Sequence, residues 1–99
     1  MPSKEINFNE LCDNYAAEVV ALPKTLSVSD PAEIANVALM CGILVGRMEV
    51  LDLVWEAHTP IPLKSLGNPH FAGFASALTS YLESVLKPAV DELLKAKGA

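Results

Sequence analysis

After Pro31 the chain holds no further proline until Pro60, and this uninterrupted run constrains the fold more than any other feature. Proline breaks helices from within, so its absence leaves room for one helix from Pro31 to about Ala57, roughly 40 Å long at 1.5 Å per residue. The start is well marked. Asp30-Pro31-Ala32-Glu33 places a capping acid, a proline at the first helical position and a glutamate at the third.

At 100° per residue one face of this helix carries Ile34, Val37, Met40, Cys41, Leu44, Met48, Leu51 and Trp55. A second apolar strip, Leu39, Ile43, Val50 and Leu53, lies well around the cylinder beside Ala35 and Gly46. Between them Ala38, Gly42 and Val45 give way to Glu49, Asp52 and Glu56, and this acidic half marks the outside. One helix therefore presents two surfaces that need cover. Helices one and three with the proline loop can supply it within the chain; otherwise a second molecule must. Ala38, Gly42 and Gly46 stand four apart, a spacing that lets another backbone approach closely, either inside the chain or between chains.

Two shorter helices flank this spine. The first is expected over about 8–22, opened by Asn7 with Glu10 reaching back in an arrangement like the capping box and Ile6 stapled onto Leu11. Its inward residues are Phe8, Leu11, Cys12, Tyr15, Val19 and Leu22, and Pro23 ends it. The segment 58–68, with Pro60 and Pro62, is expected to be a strap whose Ile61, Leu63 and Leu66 fold back onto the bundle. Asn68-Pro69 opens the third helix, about 69–97, with Phe71, Phe74, Leu78, Tyr81, Leu82, Val85, Ala89 and Leu93 inward. Pro88 lies inside that pattern, and because the apolar stripe continues past it the expectation is a kink, with a short fourth helix as the alternative. The fold class is thus an all-α bundle of three helices, with four as the alternative, around one long central helix, in a single domain spanning 1–99.

Composition narrows the function. Of 99 residues 52% are hydrophobic and 19% charged, enough apolar material for a core without metal or disulfide staples. The net charge is −5, and the seven basic residues are scattered, so no basic stripe exists to bind a nucleic-acid backbone. The longest uncharged apolar stretch, Ile34 to Gly46, is thirteen residues, short of the roughly 20 needed to span a bilayer. Cys12 and Cys41 fall at apolar helical positions with no signal peptide before them, which points to a reducing, cytoplasmic setting.

Sites for chemistry are sparse. His58, His70, Cys12 and Cys41 show no C-x-x-C or H-x-x-x-H spacing, so neither a metal nor a cofactor is expected. No serine lies in a G-x-S-x-G turn or beside a histidine and an acid at informative spacing, and an enzyme is not expected. Arg47 has no acid three or four residues away on its own helix and requires one from elsewhere. Tyr15, Trp55, Phe71, Phe74 and Tyr81 recur at helical spacing, as core aromatics do. Two functional expectations follow. The first is an interaction module, a homo-oligomer or a small regulator or inhibitor of a protein partner, acting through Leu39, Gly42, Ile43, Gly46, Val50 and Leu53 with Arg47 at the rim. The second is a module for a small anionic ligand, a nucleotide or metabolite, held near Arg47, Lys64, His58 and His70.

Overall fold

A computed structural model describes residues 7–58 and 67–98. The fold is all-α: α1 (Phe8–Val20), α2 (Pro31–His58), α3 (Pro69–Tyr81) and α4 (Lys87–Gly98), the last two joined by a π-helical turn over Leu82–Leu86. No strand occurs among the described residues.

Local chemistry sets the helix starts. Asn7 accepts from the Glu10 amide at 3.1 Å through its side-chain oxygen, and its side-chain amide donates to the Glu10 carboxylate at 3.1 Å. The reciprocal contact thus uses the Asn7 side chain and not its backbone N–H. Asp30 accepts from the Glu33 amide at 3.2 Å, with Pro31 at the first helical position, where a missing N–H is no loss. Asn68 accepts from the amides of His70 and Phe71 at 2.8 and 3.2 Å. Ile6 and the expected strap residues Ile61, Leu63 and Leu66 lie outside the described residues.

The long helix is unbroken across its glycines. Helix α1 is shorter than its apolar spacing suggests, ending at Val20, yet Leu22 in the following turn is still buried. Beyond α3 the helical run continues through Pro88. Proline has no N–H and its ring crowds the carbonyl four residues back, here Ser84; the preceding turn is wound wider, with the Lys87 amide donating to the Leu82 carbonyl five residues earlier.

Ring contacts fix the order of packing. Phe8 meets Trp55 at 5.1 Å and Phe71 at 6.2 Å between centroids, and Tyr15 meets Phe74 at 5.7 Å. At the other end the Tyr81 hydroxyl donates to the Pro23 carbonyl at 2.5 Å. Helices α1 and α3 therefore run side by side in the same direction, with α2 antiparallel to both. Their closest association is with each other, so they form one layer and α2 the next. The molecule measures 57 × 29 × 18 Å with a radius of gyration of 16.3 Å; a compact chain of this length has a radius near 13 Å. Its thin dimension is that of two helix layers, at an interaxial spacing of roughly 8–10 Å.

The core is what those layers enclose. Cys12, Val19 and Leu22 from the first segment, Ile34, Val37, Cys41, Leu44 and Leu51 from α2, and Phe71, Phe74, Leu78 and Tyr81 from α3 are buried, with Ala89 from α4. Met40, grouped by its spacing with the inward face, is instead 43% exposed. Its angle places it at the edge of that face, where neither α1 nor α3 reaches across.

Candidate functional site

Helices α1 and α3 both pack on the same side of α2, so they do not divide its two apolar faces between them, the alternative to cover by a second molecule. Leu39 and Leu53 are each 66% exposed, Val50 57% and Ile43 48%. Glu49 and Glu56 flank this strip on one side, both exposed, and Arg47 flanks it on the other, half-buried. The reason is geometric: α1 and α3 are closest to each other and meet α2 together, so one face receives both.

The glycines sharpen this. A Cβ placed on Gly42 or Gly46 would have no neighbouring heavy atom within 4 Å. Among the described residues, then, no helix crosses α2 closely at these glycines. Glycine inside a helix costs about 1 kcal/mol relative to alanine, and no packing among the described residues offsets it.

Arg47 finds its acid on α1. Its guanidinium donates to Glu18 at 2.7 Å and stands over the Tyr15 ring at 4.8 Å to the centroid. That partner is twenty-nine residues away in sequence, beyond the reach of local spacing. Both members are partly exposed, so the pair contributes at most about 1 kcal/mol. Beside it, Glu18, Ala21, Leu22, Met40, Ile43, Leu44 and Arg47 line an open groove of about 290 Å³, at the lower limit of the roughly 300–1,000 Å³ typical of ligand pockets.

The residues proposed for an anion do not converge on that groove. His70 bonds through Nδ1 to the Asp13 carboxylate at 2.9 Å. Asp13 and Glu18 are five residues apart on α1, about 140° around the helix, so His70 and Arg47 are tied to different sides of it. Lys64 and the side chain of His58 lie outside the described residues. Asn68, the buried polar residue of the core, donates from its side-chain amide to Asn9 at 2.9 Å while capping α3, an arrangement that spends its polar atoms on structure.

Neither cysteine is poised for chemistry. Burial, then the charge of Asp13, pushes the Cys12 thiol up to about 11, and burial also raises Cys41; both thiols are free and fully enclosed. A thiol held protonated is a poor nucleophile and a poor metal ligand. Among the described residues no group of three or more histidine, cysteine or acidic side chains could hold a metal ion, and no helix is long and apolar enough to cross a membrane. The aromatics Phe71, Phe74 and Tyr81 are core, with Tyr15 packed against them.

The contact of Arg47 with Glu18, the Tyr81 tie to Pro23 and the Asn9–Asn68 pair were not visible from spacing. Each joins residues on different helices, and only the exposed, uncapped position of Glu18 on α1 hinted at an available acid. Compared with family models, with curated proteins and with solved structures, the chain matches none.

Proposed function

We propose that this chain is a non-enzymatic helical module that works by association, with the outer face of α2 as the surface at which copies meet. The observation that carries the reading is the exposure of Leu39, Ile43, Val50 and Leu53 on one side of a single helix. Together with Met40 they offer on the order of 500 Å² of apolar surface per molecule, which on both partners reaches the roughly 1,000 Å² that separates specific interfaces from incidental contacts. Scattered apolar residues on a surface need no explanation, whereas the largest contiguous patch of a monomer, roughly 300–600 Å², is often functional. The two free, enclosed thiols fit a reducing compartment, and we assign the module to the cytoplasm.

The anion-binding reading has less support, because Arg47, which it needs, already holds a carboxylate and a ring. Light scattering across a concentration series tests the proposal. A mass above the 10.6 kDa of one chain, falling toward it on dilution, is expected. A strict monomer at high concentration removes the self-association claim, and would leave the same face to a partner of different sequence.

A further inference from the structure

The exposed face has a finer pattern than a greasy stripe. Asn36, Leu39, Ile43, Gly46, Val50, Leu53 and Ala57 follow one another at alternating steps of three and four residues, the seven-residue repeat of a coiled-coil seam. Written as a heptad, Asn36, Ile43, Val50 and Ala57 take the first position and Leu39, Gly46 and Leu53 the fourth. The seam is about 32 Å long. It lies on the side of α2 opposite Ile34, Val37, Cys41 and Leu44, which are buried, so a partner laid along it meets neither α1 nor α3.

Resting on the self-association reading above, we infer that two copies pair through α2 in parallel and in register, each seam residue meeting its own counterpart, to give a four-layer slab with the two α2 helices at its centre. Two independent features select this arrangement. The first is shape: β-branched Ile43 and Val50 at the first heptad position with leucines at the fourth favour two parallel strands, and a single asparagine at the first position sets register and strand number. Asn36 faces Asn36 only when the helices are parallel and in register; against an apolar groove its amide would be left without a partner. At Gly46, where a Cβ would have open space in the single chain, two glycines come together and the helices can approach closely.

The second feature is charge. Glu49 and Glu56 lie on one flank of the seam and Arg47 on the other. In a parallel pair the acidic flank of one helix lies beside its partner's opposite flank, where Arg47 is already paired with Glu18, so the two sets of acids are kept apart. In an antiparallel pair like flanks face each other, which sets Glu49 and Glu56 against the acids of the partner, an arrangement that like-charge repulsion disfavours. Arg47 is also drawn back toward α1 by Glu18 and Tyr15, which leaves the seam itself uncharged.

Cysteine cross-linking decides the orientation. Leu39→Cys and Leu53→Cys place thiols near the two ends of the seam at positions already exposed, so folding is little affected, and the enclosed Cys12 and Cys41 serve as the silent background in the unsubstituted chain. Mild oxidation of either variant is expected to shift it from monomer to a disulfide-linked homodimer on a non-reducing gel, because counterparts in an in-register pair lie within the roughly 4.4–6.8 Å Cα separation a disulfide allows. A mixture of Ile43→Cys and Leu53→Cys chains that yields chiefly the mixed dimer means an antiparallel pair and overturns the inference. A dimeric mass with no cross-link in any variant overturns it too, by placing the interface elsewhere. A monomeric mass for the unsubstituted chain removes the self-association reading itself, and light scattering separates that failure from the other two.

Discussion

The two long faces of α2 are nearly equal in apolar content and opposite in fate. Ile34, Val37, Cys41, Leu44 and Leu51 are enclosed by the rest of the bundle, whereas Leu39, Ile43, Val50 and Leu53 stand open on the far side. Enclosure gives the inner face the stability of the fold. The open face contributes less to folding of one chain, since between about half and two thirds of the surface of each of its residues stays exposed. What separates the faces is therefore not hydrophobicity but where the neighbouring helices come to rest, and this is why the outer face reads as a binding surface.

Substitution should split the two faces cleanly, and the largest effect belongs to the inner one. Leu44→Ala is expected to cost about 2–5 kcal/mol in urea unfolding, as cavity-forming core truncations do. The double change Leu39→Ser with Leu53→Ser should alter the stability of the dilute chain by no more than about 0.5 kcal/mol while abolishing the concentration dependence of its melting temperature. Equal losses for both variants in dilute solution would erase the contrast.

Next in size is a pH effect that belongs to the core under the inner face. The Cys12 thiol is held near 11 against an ordinary 9.0, chiefly by burial. An unfolded chain therefore ionises this group first, the folded state binds the extra proton, and stability falls as pH rises from about 9 toward 11 while remaining intact below 9. The loss should be on the order of 2 kcal/mol, with Cys41 and Tyr81 shifted in the same sense. Urea midpoints across that range read it, and Cys12→Ala should flatten the slope. At neutral pH both thiols of the folded protein should resist a thiol reagent.

Smaller still are the changes at the margins. Asn68→Ala removes the cap of α3 and leaves Asn9 without its partner, for about 1–2 kcal/mol by thermal unfolding. Gly42→Ala on the exposed side of α2 has open space for its methyl group and should raise stability by about 0.5–1 kcal/mol. A loss at Gly42 would mean that something in the chain does approach it.

Much of this architecture is legible in the residues because it is local. The run from Pro31, the caps at Asn7, Asp30 and Asn68, and the two apolar strips of α2 depend on periodicity and on contacts within four residues. Periodicity shows that two faces exist but not which of them the chain itself will cover, since that depends on α1 and α3 packing together on one side of α2. The same limit hid Glu18 from Arg47, and it placed Met40 inside when it stands at the rim. Pro88 announced a disturbance in the third helix, but its form, a wider turn just upstream, required the actual path of the chain. Candidate interface residues could be read as a strip; their orientation toward a partner could be argued only once the core side was known.

The most direct test of the outer face is hydroxyl-radical footprinting of the unsubstituted protein at low and at high concentration. Leu39, Ile43 and Leu53 should become protected as concentration rises, while Val20 and Leu94, exposed apolar residues away from that face, react equally at both. Reactivity at Leu39, Ile43 and Leu53 that stays unchanged, or protection that falls on Val20 and Leu94 instead, would contradict the account.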